Sequence, residues 1–331
     1  MTEVSLDLAR AAMRRRARWT AMELGFWGAA AICYFAFPAK LVLLTQILIA
    51  GLFAMSLDLL LGFGGIASFG HAAFFGVGAY VAGLLSVHGW GEPLTGLMAG
   101  GIVAGALGLA FSGLIARVRG TAMLMVTLCA GLLLFEAASR MPWLTGGDSG
   151  LQGIEMWPLF GRFEFDLFGV VAFWYAFAVT LVVYTLARRY VHSAEGLALE
   201  GMRENAQRVP MLGISTSRRK IIAFTLSATI AGVAGALLAQ TTQIVALETL
   251  SFERSVSALI MLLIGGLGTL IGGFVGAAAF ITARDILSTL NPVYWMFWLG
   301  LVMVALICLS PEGIVGGIRR LRARLPRSHR P

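Results

Sequence analysis

Nothing limits the fold of this chain as severely as its nine apolar blocks, residues 21–38, 41–61, 65–88, 93–116, 121–139, 167–187, 221–240, 257–283 and 293–310. Most are close to the length of about 20 residues at which a helix, rising 1.5 Å per residue, crosses the hydrocarbon core of a bilayer. Lipid offers the backbone no hydrogen bonds, so each block must satisfy its own as a helix. The short alternating strands of a membrane barrel are absent. Of 331 residues only 13% are charged, roughly half the share found in soluble domains. A water-soluble globule is thereby excluded, and an all-α polytopic membrane protein is expected.

The net charge is +8, and the basic residues are placed unevenly. Arg10, Arg14, Arg15, Arg16 and Arg18 fill the N-terminal arm, Arg117 and Arg119 form a pair, seven basic residues lie between Arg188 and Lys220, and six arginines between Arg319 and Arg330. By the positive-inside rule these clusters mark cytoplasmic segments. A nucleic-acid-binding chain would gather them into one stripe instead. Cys33, Cys129 and Cys308 lie inside apolar blocks without pairing or metal spacing, which suits small core residues. Block 21–38 follows an arginine-rich arm as a signal peptide would, but no A-x-A site follows, so an uncleaved first helix is expected.

Two cytoplasmic termini require an even number of crossings, and nine blocks conflict with that. Block 257–283 contains the run Gly265-Gly266-Leu267-Gly268-Thr269-Leu270-Ile271-Gly272-Gly273, and residues 62–79 are also glycine-rich. Either could break or re-enter, so eight to ten transmembrane helices are expected. Gly65, Gly76, Gly265 and Gly268 are the candidate helix-breaking positions, close helix packing being the other use of such glycines. The two glycine-rich blocks align at an offset of 200 (Gly65 with Gly265, Gly76 with Gly276), which as simple crossings would make them inverted repeats. The organisation expected is a basic cytoplasmic arm (1–20), one transmembrane domain (21–310) and a basic cytoplasmic tail (311–331). The domain has a periplasmic loop at 140–166 and a cytoplasmic loop at 188–220.

An energy source of its own is missing. A Walker A loop needs Gly-Lys-Ser/Thr, and the two lysines, Lys40 and Lys220, follow Ala39 and Arg219. Asp58 and Glu136 are the carboxylates that could couple transport to ions, although both could also reach an interface. Four scattered histidines, His71, His88, His192 and His329, give no metal motif, and no nucleophilic triad or catalytic carboxylate pair is present.

Residues 193–240 run from Ser193-Ala-Glu-Gly-Leu through Arg203-Glu-Asn and Val209-Pro-Met-Leu-Gly213 to Ser-Arg-Arg-Lys220, then into an apolar helix with Ala-Gly-Val-Ala-Gly-Ala. This segment resembles the cytoplasmic coupling loop of branched-chain amino acid ABC transporter permeases of the LivM type. Gly65-Ile-Ala-Ser-Phe-Gly-His-Ala-Ala-Phe-Phe-Gly-Val-Gly-Ala-Tyr80, Thr145–Ile154, Gly265-Gly-Leu-Gly-Thr269 and Ser310-Pro-Glu-Gly-Ile314 look like the same family. The resemblance runs in order over about residues 41–316. It implies a transport subunit without catalytic residues, metal or cofactor, importing branched-chain amino acids or a related amide or urea-like solute. It also implies a second related permease, two ATP-binding subunits and a periplasmic solute-binding protein as partners, with residence in the bacterial inner membrane. A stand-alone ion-coupled carrier using Asp58 or Glu136 is the competing reading.

Ser193 can cap a helix with Glu195 in its first turn, and Pro210 and Gly213 would end it. The resulting rod would offer Arg203, Glu204, Asn205, Arg208 and Gly213 to an ATPase; a solvated basic loop at anionic lipid is the plainer alternative. Ala194, Glu195, Leu197, Leu199 and Glu200 stand where family members carry Ser-Pro-Phe-Gly-Arg and further basic residues, which alters the charge offered to a partner. Ser68, His71 and Phe74 are candidate translocation-path residues, a histidine bonded between packed helices being the alternative for His71.

Overall fold

The computed structural model describes residues 19–118, 120–165, 169–205, 208–309 and 312–324. Most of the basic arm, Arg119, Ser310, Pro311 and the end of the tail lie outside the described residues. The helices are α1 (Ala21–Ala36), α2 (Leu41–Asp58), α3 (His71–Val87), α4 (Pro93–Ile115), α5 (Thr121–Ser139) and α6 (Val170–Val191). They continue as α7 (Ala194–Glu204), α8 (Thr216–Thr242), α9 (Phe252–Gly265), α10 (Ile271–Leu290), α11 (Trp295–Leu309) and α12 (Gly313–Arg324). Among the described residues, six helical segments are long and apolar enough to cross a membrane: 38–63 (α2 with its flanking turns), α4, α5, α6, α8 and α10. α1, α3 and most of α11 are shorter apolar helices.

The core forms around α8, which packs on α2, α3 and α4. In lipid no hydrophobic gain pulls helices together, so close approach of small residues must do it. Gly232 and Gly235 of α8 meet Gly78 and the Phe75 carbonyl of α3, and Gly100 of α4 meets Gly78 and Ala236, with no room for a Cβ at these points. Exposed Leu, Val, Met and Phe side chains cover the outer flanks of α4, α5 and α11. Cys129 and Cys308 belong to those flanks and are exposed rather than core residues, and only Cys33 is partly covered.

Block 257–283 is two helices. α9 ends at Gly265, the chain turns through Gly266 (φ +113°), Gly268 (φ +72°) and Leu270 (φ +55°), and α10 starts at Ile271. α10 folds back on α9, with Gly276 against the Met261 carbonyl. Block 62–79 is also interrupted: α2 closes in a π turn, Leu59–Phe63, and non-helical residues lead to α3 at His71. Gly65 (φ +64°) and Gly268 lie in these breaks and Gly265 at the edge of one, whereas Gly76 sits inside α3 against Leu250 and interrupts nothing. Gly76 is therefore a packing glycine.

The offset of 200 persists, since α3 and α10 each begin six residues beyond the aligned glycine. Both helices nevertheless run antiparallel to α2. α3 starts beside Ser56 and climbs past Phe53, whose ring lies 4.6 Å from Phe75. α10 starts beside Asp58 and ends near Lys40, which pairs with Asp285 at 3.0 Å. Splitting block 257–283 reverses the second element, so α3 and α10 are parallel and not an inverted pair.

Two ends of the bundle differ. At one, Glu23 of α1 accepts Arg188 Nε (2.9 Å) and Tyr184 Oη (2.8 Å) from α6. Glu23, Arg188, Phe63, Glu200 and Gly268 border one small cavity there, of about 250 Å³. At the other, Ser86 donates to the Glu155 carbonyl (2.7 Å), and Leu151 and Val245 exchange two backbone bonds (2.8 and 3.1 Å).

Candidate functional site

The loop between α6 and α8 is built as a short bracket. Ser193 Oγ accepts the Glu195 amide (3.2 Å) and starts α7. Arg219 of α8 pairs with Glu195, and Leu199 and Met202 are buried beneath the helix. α7 ends at Glu204, six residues before Pro210, so the rod is shorter than the sequence suggests. Asn205 turns out of the helix because its backbone is extended, and its side chain accepts the Arg208 amide (3.1 Å). A 3₁₀ turn, Val209–Leu212, and Gly213 at φ +75° follow. Glu204, Asn205 and Arg208 are exposed, and Met211 and Leu212 project at the tip with 84% and 77% of their surface free. In the sequence these two side chains are marked only as an apolar pair between Pro210 and Gly213, inside a motif otherwise defined by its charges.

Arg203 points the other way. Its guanidinium donates to the Gly62 carbonyl in the π turn of α2 and lies against Gly268, while its aliphatic stem packs on Gly65. Asp58, fully buried, completes the joint. Its Oδ1 accepts the Gly268 amide (2.7 Å), and its Oδ2 accepts those of Thr269 (3.2 Å) and Leu270 (2.9 Å). Three amides at the start of α10 hold the carboxylate, an arrangement that the positive end of a helix dipole favours. Asp58 thus clamps the α9–α10 turn to α2. Glu136 is exposed at the end of α5 and bonded to Arg140 at 2.7 Å.

His71 is enclosed where α2, α3 and α8 meet. Ser227 Oγ donates to the Ser56 carbonyl and Ser56 Oγ to the Phe53 carbonyl, so both hydroxyl protons are committed. Nε2 lies 2.9 Å from Ser56 Oγ and 3.3 Å from Ser227 Oγ, and must carry the ring proton that both oxygens accept. Phe53 stacks on the ring, and Phe74 stands edge-on at 6.0 Å. Ser68 is buried in the non-helical stretch before α3. Ser68, His71 and Phe74 are all buried and are not among the residues that line the larger polar cavity.

That cavity, about 560 Å³, opens between α2, α8, α9 and α10. Gln46, Phe53 and Phe75 border it together with Glu248, Arg254 and Arg284. Val245, paired with Leu151 of the loop 140–166, lies three residues before Glu248. A continuous path of contacts therefore runs from α7 through Arg203, the α9–α10 turn and α9 to the cavity and to the loop at the opposite end.

Residues 41–307 match the profile of the family described as branched-chain amino acid transport system / permease component. The high-affinity branched-chain amino acid transport system permease protein LivM of Salmonella typhimurium is 30% identical over 294 residues, 82% of this chain and 68% of that protein. LivM of Escherichia coli is 30% identical over 79% of this chain and 66% of its own length. The autoinducer 2 import system permease protein LsrC of Enterobacter sp. is 29% identical over 77% of this chain and 71% of that protein. The chain thus spans about two thirds of the length of the LivM relatives. No solved structure matches it. By the reach of the profile and the likeness to both LivM proteins, the chain belongs to the family of branched-chain amino acid transport permease components.

Proposed function

We propose that this chain is the permease subunit of an ATP-driven importer that carries branched-chain amino acids or a related small solute across the inner membrane. Kinship with LivM supplies the class of solute, and LsrC shows that permeases of similar sequence serve other solutes. The observation that carries the reading is the double joint at α7: Arg203 on the Gly62 carbonyl and Asp58 on the amides of residues 268–270. A rigid loop that grips both glycine-rich breaks can pass a partner's motion into α9 and α10.

In this reading the chain crosses the membrane ten times with both termini in the cytoplasm. Six long helices, the shorter α1, α3 and α11, and α9 with its extended lead-in supply the crossings. An even count agrees with arginine clusters at both ends. A related permease, two ATP-binding subunits and a periplasmic binding protein complete the machine. The ATPase docks on Glu204, Asn205, Arg208 and Gly213, with Met211 and Leu212 entering its groove. His71, Ser68 and Phe74 form the packed wall behind the path, and the polar cavity is its open section.

The test is a complex reconstituted in lipid vesicles with its ATPases, partner permease and binding protein. Solute-loaded binding protein is expected to stimulate ATP hydrolysis and uptake only when this subunit is present. Equal hydrolysis without it, or uptake by this chain alone under an ion gradient, overturns the reading.

A further inference from the structure

α6 packs chiefly on α2 and scarcely touches α4 or α8. The gap that results is an open groove of about 850 Å³, larger than the polar cavity. One wall is a stripe of α6 that runs from Val170 to Tyr190, and the other is the middle of α8 with the first turns of α4. Leu159, Phe160 and Phe163 close one end. The other end lies beside α7, where the Glu195–Arg219 pair stands next to Tyr190.

The dimensions of the groove limit what can fill it. Twenty residues of α6 at 1.5 Å each make it about 30 Å long, so 850 Å³ leaves a cross-section of roughly 28 Å². A helix about 10 Å across needs nearly three times that area. An extended hydrocarbon chain, one methylene wide, fits. The walls agree with this. Where helices of this chain meet, Gly78, Gly100 and Gly232 let the backbones approach, as small residues do at helix contacts in lipid. The groove has no glycine and is lined mostly by Leu, Val and aromatic side chains.

The end beside α7 adds a charge. Arg189 follows Val182 by seven residues, on the same face of α6, and so extends the groove stripe beyond the exposed Val182 and Leu186. Arg189 is exposed, and among the described residues no ion pair engages it. An arginine at the end of a spanning helix lays its stem on apolar surface and holds its head at the level of the phosphates.

We propose that this groove binds a phospholipid, one acyl chain lying between α6 and α8 and the anionic headgroup resting on Arg189. The lipid is then a wedge between the two helices that carry the α7 bracket. Its bearing on coupling rests on the importer reading; its binding does not.

Native mass spectrometry tests this on the purified full chain, released from nanodiscs of equal phosphatidylglycerol and phosphatidylethanolamine. A retained phospholipid is expected, enriched about fivefold in phosphatidylglycerol, the preference that one basic residue gives at an anionic surface. Arg189→Gln should remove the enrichment and keep a lipid. Ala178→Trp and Val182→Trp, both at exposed points of the wall, should each displace the lipid and leave the melting temperature unchanged. Equal retention by the native chain and both tryptophan variants, or no enrichment in the native chain, overturns the proposal. Loss of the lipid on binding of the partner permease also overturns it and gives the groove to that subunit. Uptake by the complete complex is scored separately, so a failed importer reading leaves the retained lipid in place.

Discussion

Asp58 shows how far a side chain's role depends on what surrounds it. In sequence it is an acid near the end of an apolar block; in the fold its two oxygens accept three amides from a segment more than 200 residues away. Asp58→Asn keeps one acceptor and turns an NH₂ toward at least one donor. We expect a loss of about 1.5–3 kcal/mol, the range for hydrogen bonds to a charged group, read as a lower melting temperature in detergent. Unchanged stability would show that the clamp is dispensable. Glu23 and Arg188 pose the complementary case, a buried pair with side chains only 10% and 6% exposed. Glu23→Gln removes the negative charge beside the guanidinium and one of its acceptors, a loss of up to about 3–5 kcal/mol by comparison with other buried pairs. It should therefore destabilise more than Glu136→Gln, whose exposed pair with Arg140 contributes at most about 1 kcal/mol. Thermal melts of the two variants in the same detergent compare them directly.

Among the helices, α7 is the one whose two faces divide the labour. Leu199, Met202 and Arg203 turn toward the chain's own core and breaks, while Met211 and Leu212 beyond its end turn away from it. Placing Glu at both Met211 and Leu212 should leave membrane insertion and melting unchanged and abolish binding-protein-stimulated ATP hydrolysis. Retained stimulation at the native rate would exclude the tip as the docking element. The helix in this loop and its capping Ser193 were legible beforehand. The length of α7 was not, because Asn205 adopts an extended backbone ahead of the proline that seemed to set the boundary. Ser68, His71 and Phe74 were the path candidates in the sequence, with a histidine bonded between packed helices as the alternative for His71. The serines that supply those bonds, Ser56 and Ser227, lie on separate helices far along the chain and could not be picked out from it.

At the scale of the entire chain, the proposed topology puts the loop 188–220 on the side opposite the loop 140–166, because α6 lies between them and is long and apolar enough to cross the membrane. Single cysteines at Leu212 and Trp157, in a background with Cys33, Cys129 and Cys308 replaced by serine, should differ in labelling by an impermeant thiol reagent in intact cells. Trp157 should label and Leu212 should label only after permeabilisation. Labelling of Leu212 from outside would reverse the topology and remove the coupling loop from the ATPase.

The apolar blocks were sufficient to establish an all-helical membrane chain, because lipid leaves blocks of that length no other backbone solution, and the motifs that follow one another between residues 41 and 316 pointed to the family. Which glycines break a helix and which merely let two helices touch, and which donors hold the buried acid Asp58, was decided only in three dimensions. Those outcomes depend on partners as far away as the 210 residues between Asp58 and Gly268, and periodicity along a chain holds no record of them.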